Sequence, residues 1–189
     1  MKHKLLIEHL KNYGDISEQE ELNIRKYFIP HQTTKKQILI EKHSICNKLF
    51  FVNNGLLRAY YINDDGREVT RMIAWENRFL TNIVSFRNFA ENKETIECIE
   101  KAEILYINRN DFDNLMKSSF NLKSIYADIL EEYNALHIKR FEQLNSGNAV
   151  EKLKYFNQNF QPLKNRINDT YLSSFLSISR KTIERLKKN

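Results

Sequence analysis

Four residues near the end of the chain carry the most specific chemistry. Arg180, Lys181, Glu184 and Arg185 share one side of a helical stretch whose other side holds Ile183 and Leu186. An arginine on such a face can donate two hydrogen bonds to guanine O6 and N7, and a glutamate can accept one from cytosine N4. Thr170, Ser173 and Lys188 suit contacts to phosphate, which position a protein on a duplex without reading sequence. Leu172 and Leu176 lie one turn apart on a preceding short helix, Ile178 falls in the connecting turn, and Ile183 and Leu186 are three apart on the second. Five apolar positions so spaced close a small core between two crossing helices. Ser173 is small enough to let the helices approach, and Ser179 is a good N-cap for the second. This is a helix-turn-helix pattern, in which the second helix, residues 179–188, enters the major groove by its N-terminal end.

Other chemistry is sparse. His43 and Cys46 form an H-x-x-C pair, but no second pair stands at ligand spacing, so no metal is expected. Cys46 and Cys98 are the only cysteines, too few for a disulfide framework or a thiolate-ligated cluster. His137 on an apolar helix face reads as a buried or dimer-contact histidine rather than a haem ligand, and no cofactor is expected. Trp75, Phe79, Phe86 and Phe89 could surround a ligand cavity in which Arg71, Arg78 or Arg87 meets an anionic effector. No G-x-S-x-G, H-E-x-x-H, P-loop or dinucleotide-binding fingerprint occurs, so an enzyme is not expected.

The charge distribution agrees with the helix pair. The 189 residues hold 30 Lys+Arg and 24 Asp+Glu, a formal net charge of +6. From Val150 onward there are nine basic and three acidic residues, so the whole surplus lies in the last fifth and residues 1–149 are balanced. A neutral body with a basic end is the asymmetry of a module that binds a polyanion. Hydrophobic residues at 41% and charged residues at 29% exclude wholesale disorder. The longest apolar runs, such as Leu49 to Val52, are far too short to span a bilayer. The N-terminus meets charge by Glu8, too early for a signal peptide. A soluble, cytoplasmic chain with no membrane partner is expected.

Three kinds of element must position these residues. Residues 1–29 read as helical, with Ser17-Glu-Gln-Glu20 as a capping box and Pro30 as the stop. From Thr33 to Ile107 the runs Gln37–Ile40, Leu49–Val52, Leu56–Ile62, Val69–Trp75, Thr95–Ile99 and Ile104–Ile107 are rich in β-branched and aromatic residues. Asn53-Asn54-Gly55 and Asn63-Asp64-Asp65-Gly66 supply turns between them. Many short strands at close spacing predict an antiparallel barrel or roll. From Arg109 to Asn145 a helical period returns: Tyr126, Leu130, Tyr133, His137, Phe141 and Leu144 share one face, opposite Asp128, Glu131, Glu132, Lys139 and Glu142. That stripe is expected to pack partly on the roll and partly against a second subunit. Ser146-Gly147-Asn148 ends the helix. The expected domains are therefore 1–145 (helices 1–29, roll 30–108, long helix 109–145) and a helix-turn-helix unit over 146–189.

A roll of short strands, a long helix and a C-terminal helix-turn-helix together resemble the Crp/Fnr family of bacterial transcription regulators. The most specific stretch is Leu172–Leu186, where Ser-Arg-Lys-Thr-Ile-Glu-Arg is similar to the family's recognition helix; Val52–Gly55 and Asn63–Arg67 resemble its roll turns. The resemblance implies an α+β fold: a cyclic-nucleotide-binding-like antiparallel β-roll of jelly-roll type, flanking helices and a long dimerisation helix. It implies a homodimer paired through 120–145 on double-stranded DNA, RNA polymerase as an accessory partner, and an unidentified small-molecule effector or ligand-independent action. Arg180, Lys181 and Arg185 fall where the family reads bases. A shift in the angle of the paired helices would set the spacing of the two recognition helices.

The family's nucleotide-binding members use a Gly-Glu pair for the ribose and an Arg with a small hydroxyl residue for the phosphate. Thr81 and Asn82 replace the first pair, Glu94 stands where the arginine would be, and Thr95 remains as the hydroxyl. A carboxylate there repels a cyclic phosphate, so cyclic AMP is not expected to bind in the usual way. No β-wing of the family's kind is expected after the second helix, so DNA affinity is expected to lean on that helix, Lys164, Arg166 and the dimer. The alternative reading is a small-molecule or cyclic-nucleotide sensor whose C-terminal hairpin makes protein contacts only.

Overall fold

The computed structural model describes residues 2–188; Met1, Asn189 and the side chain of Ser146 lie outside the described residues. Helices α1 (Lys4–Lys11) and α2 (Glu18–Tyr27) come first, and the expected capping box is present: Ser17 accepts from the Glu20 amide while Glu20 accepts from the Ser17 amide at 2.9 Å. The chain then turns directly into a strand, β1 (Ile29–Gln32), which the helical reading of residues 1–29 missed. Pro30 is tolerated there because β1 is an edge strand.

The predicted antiparallel roll is present. Strands β2 (Ile38–Ile40), β3 (Lys48–Asn54), β4 (Leu57–Ile62), β5 (Glu68–Ala74), β6 (Phe79–Leu80), β7 (Thr95–Cys98) and β8 (Glu103–Asn108) join β1 in two four-stranded sheets, ordered β1-β8-β3-β6 and β2-β7-β4-β5. Between β6 and β7 lies a short helix, α3 (Ile83–Asn88), capped by the Asn82 side chain at the Ser85 amide. The β4–β5 hairpin turns at Gly66, with φ +74°, and Asn63 Oδ1 accepts from the Arg67 amide at 2.9 Å.

The first sheet is apolar on both faces, which explains why β3 reads as an unbroken run rather than an alternation. Phe50 and Val52 point to the second sheet and pack with Leu57, Ala59, Ile96 and Ile104. Leu49 and Phe51 point the other way and pack with Leu105, Ile107 and the helices. At Gly55, φ +103°, a side-chain carbon would come within 2.6 Å of Ala102, so only glycine lets these two turns close.

The helical run after β8 is interrupted once. α4 (Arg109–Ser118) and α5 (Phe120–Ser146) meet at Ser119, whose extended backbone ends one and whose hydroxyl caps the other at the Leu122 amide. On α5 the face buried against the roll holds Leu122, Ile125 and Ile129, with Tyr126 and Tyr133 beside them. The expected single stripe is thus two. Tyr126, Tyr133 and His137 turn to the body, whereas Leu130, Ile138 and Phe141 remain exposed, Phe141 at 69%. Glu132, expected on the polar side, instead accepts from Arg78 at 2.9 Å and from the Tyr13 hydroxyl, tying α5 to the turn after α1 and to the roll. After Gly147 and Asn148 come α6 (Ala149–Asn159), a 3-10 turn (Gln161–Leu163), α7 (Asp169–Leu176) and α8 (Arg180–Lys188).

His9 is buried among the rings of Tyr13, Phe51 and Phe79, at centroid distances of 5.4, 5.6 and 5.7 Å, and its Nε2 has no hydrogen-bond partner among the described residues. Burial first, and the nearby Arg78 second, hold its pKa below 6.5. A neutral imidazole is therefore favoured in the folded chain. The stability it supports is complete above the unfolded value near 6.5 and is lost as the pH falls from there through the lowered folded-state value. Melting curves between pH 7.5 and 5.5 are expected to show a falling Tm, and His9→Phe to flatten that slope. An unchanged slope in the variant would show that His9 does not drive it.

Candidate functional site

The two C-terminal helices form by local signals and are locked by shared core. Asn168 caps α7 at the Tyr171 amide, 2.9 Å. Ser177 takes a left-handed conformation, φ 53°, that ends the helix. Ser179 then caps α8, accepting from the Thr182 amide at 3.1 Å, as its position predicts. Leu172, Phe175, Leu176 and Ile183 are buried together, with Ile178 partly buried against them. Away from Ile183, Arg180, Lys181, Glu184, Arg185 and Lys188 are all exposed. Arg180 Nε donates to Glu184 at 2.9 Å, and Lys187 pairs with Asp169 at the start of α7. Thr170 is exposed, while the Ser173 hydroxyl donates to the Thr170 carbonyl at 2.9 Å, so its proton is engaged within α7. The chemical result is a rigid, solvent-facing row of one carboxylate and four cationic groups.

This helix pair does not stand apart from the roll. Its core continues into Leu56, Ile73 and Ile99 on the outer side of the second sheet. Ser174 Oγ accepts from the Thr70 amide and donates to the Glu68 carbonyl, both at 2.9 Å. Arg140 of α5 donates to the carbonyls of Thr70 and Phe175, both at 2.8 Å, joining α5, β5 and α7 at one point. Burial foremost, with Arg71 nearby, lowers the Arg140 pKa to about 10, leaving it charged at neutral pH. Arg58 is 3% exposed, donates to Glu97 at 2.7 Å and Glu68 at 2.6 Å, and stacks between the rings of Tyr60 and Tyr171.

Arg166 takes a different place from the one expected. It lies between Glu76, at 2.9 Å through both terminal nitrogens, and Glu100, at 2.5 Å. Hydrogen bonds donated to Glu76, then to Glu100, push its pKa up, so the charge is permanent and already neutralised. The expectation that Arg166 supports DNA affinity is corrected on that ground: two carboxylates hold it against the roll. Lys164 is exposed.

The positions expected to be a degenerate nucleotide site come together around Glu94, which is 6% exposed. It accepts from Arg71 Nε at 2.5 Å and from Asn82 Nδ2 at 2.8 Å. Arg71 also donates to the Thr81 carbonyl at 3.0 Å, and the Thr81 hydroxyl donates to the Lys48 carbonyl at 2.8 Å. Thr95 lies on β7 next to this group, in register with Tyr60. These residues offer a cyclic phosphate no free cation: the buried Glu94 carboxylate has taken Arg71 for itself. Of the other candidates, Arg78 is bound to Glu132, Arg87 is exposed, and Phe89 is exposed rather than lining a cavity. His43 pairs with Glu91, and Cys46 is buried with its sulfur 3.3 Å from the Thr81 hydroxyl, so the two do not converge.

A cavity of about 260 Å³ lies beside this group, between the roll, α4 and α5. Its walls include Phe79, Phe86, Phe112, Ile125 and Ile129 from the core, with Arg71 and His137 at one side. Burial, then Arg71 and Arg140, depress the His137 pKa, so its ring is neutral at pH 7. Arg58, Arg140 and Glu94 escaped sequence reading as tertiary anchors. Arg58 alone left a signal, as a single charge inside the apolar run Leu56–Ala59.

Comparison with known proteins places this geometry. Residues 30–119 match the cyclic nucleotide-binding domain family. A chain from Eubacterium rectale assigned to the Crp/Fnr family superposes with a TM-score of 0.72 at 19% identity, over 95% of this chain and 84% of that one. The c-di-GMP-responsive global regulator CLP of Xanthomonas campestris superposes at 0.70 and 12%, over 91% and 90%. A CooA variant from Carboxydothermus hydrogenoformans does so at 0.68 and 18%, over 96% and 82%. At these identities the fold is what is shared. No curated protein sequence matches the chain. Among the described residues no helix is long and apolar enough to cross a membrane.

Proposed function

Given that residues 30–119 match the cyclic nucleotide-binding domain family and that the chain shares its fold with Crp/Fnr regulators, we propose that the protein is a homodimeric, sequence-specific DNA-binding transcription regulator that does not bind cyclic AMP in the usual way. One observation carries this reading: α8 turns Arg180, Lys181, Glu184 and Arg185 outward from a helix locked in place by Ile183. Bidentate Arg contacts to guanine, with Lys181 beside them, and a Glu contact to cytosine are the means of base reading, with Lys188 and Thr170 near the phosphates.

The exposed Ile138 and Phe141 on α5 support pairing of two copies along that helix. Two α8 helices related by a two-fold axis would meet successive major grooves, about 34–36 Å apart. Because Arg140 links α5 to the Phe175 carbonyl, a change in the angle between paired α5 helices would be passed to α7 and α8. Ile138→Glu combined with Phe141→Glu is expected to leave a folded monomer by sedimentation, with an unchanged far-UV spectrum; a dimer that survives both charges would place the interface elsewhere.

Selection of bound duplexes from a random library tests the reading as a whole. Enriched sites are expected to share two inverted half-sites centred about one helical turn apart. A pool that stays random after repeated rounds, at a protein concentration that retains duplex, would overturn it.

A further inference from the structure

The cavity beside Glu94 has a chemistry distinct from that of a nucleotide site. It is about 260 Å³ and is lined almost wholly by side chains such as Leu49, Phe86, Phe112, Leu115 and Ile129. Cavities of about 150 Å³ with walls of this kind stay dry and hold benzene, so this one has room for roughly ten non-hydrogen atoms. Charge is cancelled along its polar side. Arg71 reaches the wall already bound to Glu94, 2.5 Å away, and His137 is neutral. Asn134 and the neutral His137 ring stand on the same wall of α5 and can exchange one hydrogen bond with a guest. Ile83 of α3 and Leu130 of α5 both line the cavity and are 42% and 40% exposed, which marks a mouth between those helices.

From the apolar walls, the cancelled charge and this mouth, we propose that the roll binds an uncharged apolar small molecule of about ten non-hydrogen atoms carrying one hydroxyl or carbonyl. An anionic guest would bring a charge into an apolar chamber with no free cation to meet it. A dianionic or sugar-bearing guest would leave its polar groups unpaired against Phe and Leu. Such a guest would sit against α5, the helix that the proposed function makes the dimer axis. That regulatory consequence rests on the proposed function, but binding itself does not.

Two matched probes test the chemistry on the full chain without DNA. 1-Naphthol is uncharged at pH 7 and fluorescent, and 1-naphthoate has the same rings with a carboxylate. Saturable quenching or enhancement by 1-naphthol is expected, with 1-naphthoate weaker by at least about tenfold, and a Tm raised by roughly 2 °C or more at saturation. Cyclic AMP is expected to leave Tm unmoved. Met116→Trp and, at the mouth, Leu130→Trp should each remove 1-naphthol binding while the chain still melts cooperatively. Glu94→Gln should free Arg71 and bring 1-naphthoate to parity with or beyond 1-naphthol. Equal binding of both probes by the unaltered chain, preference for the naphthoate, or binding that survives both tryptophans would each overturn the proposal. DNA selection is scored separately, so failure here with an enriched operator leaves the regulator reading standing, and the converse result does the opposite.

Discussion

Replacing both Arg180 and Arg185 by alanine is expected to abolish specific DNA binding while leaving the fold and the dimer intact. Both side chains are exposed, and neither contributes to the core that Ile183 closes. A well-formed bidentate contact to guanine discriminates by about 1–3 kcal/mol, and two such contacts on one helix add approximately. The expected loss is therefore about 2–6 kcal/mol, roughly thirty-fold to a few ten-thousand-fold in affinity. Arg180 now donates to Glu184, an exposed pair that a base can replace at little cost. The single variant Lys188→Ala is expected to weaken all duplexes alike, because a lysine near phosphate supplies charge rather than reading. Fluorescence anisotropy with the selected duplex and a scrambled one separates these effects. If the double variant kept its preference for the selected duplex, α8 would not be the reading element, and the hairpin would be left with protein contacts.

Arg58→Ala is expected to cost the most stability of any substitution on the roll's outer face. The guanidinium is held by Glu97 and Glu68 and lies between the rings of Tyr60, at 3.9 Å, and Tyr171, at 4.4 Å. Removing it leaves the Glu97 carboxylate, whose side chain is only 11% exposed, without its partner. Breaking a buried pair from one side costs about 3–5 kcal/mol, against a total of about 5–15 kcal/mol for a typical domain. Equilibrium urea unfolding should show a midpoint shift of that size. Because Tyr171 belongs to α7, the variant should also loosen the helix pair from the roll and speed amide exchange in α7 and α8. Arg58→Met combined with Glu97→Leu should recover much of the loss, since apolar replacement of both partners removes the stranded charge. A loss under about 1 kcal/mol for Arg58→Ala would mean that the pair is solvated and does not hold the two units together.

These residues mark what could and could not be read from sequence. The outward placement of Arg180 and Arg185 was legible because it is set locally: one helix face, an N-cap at Ser179 and a buried Ile183 lie within a few positions. The strands were legible for the same reason, since β-branched runs and Asx-Gly turns are local signals. β6 was not, being two residues long, and β1 was not, because its Ile-Pro-His-Gln reads as the end of a helix rather than as an edge strand. Arg140 and Arg166 were illegible as anchors because their partners lie 35 to 90 residues away. A basic tail looks equally available for DNA whether or not one of its arginines is already claimed by Glu76 and Glu100. The long helix misled in another way. Its steps of three and four admit two overlapping stripes, and only packing shows that Tyr126 and Tyr133 face the roll while Phe141 does not.

Glu94 is a carboxylate buried in the roll, where an unpaired charge would bar an apolar guest. With Arg71 beside it, the same carboxylate closes a neutral ion pair and leaves an apolar chamber next to α5.

The most direct test of the central claim is an anisotropy titration of a labelled duplex taken from the selected pool, against a random duplex, at 50 and 200 mM salt. A regulator reading bases through α8 should bind the selected duplex at least about a thousandfold tighter than the random one, and that ratio should persist at the higher salt while both absolute affinities fall. Binding that is equal for the two duplexes and vanishes together at 200 mM salt would reduce the basic C-terminal fifth to a nonspecific polyanion surface and contradict the account.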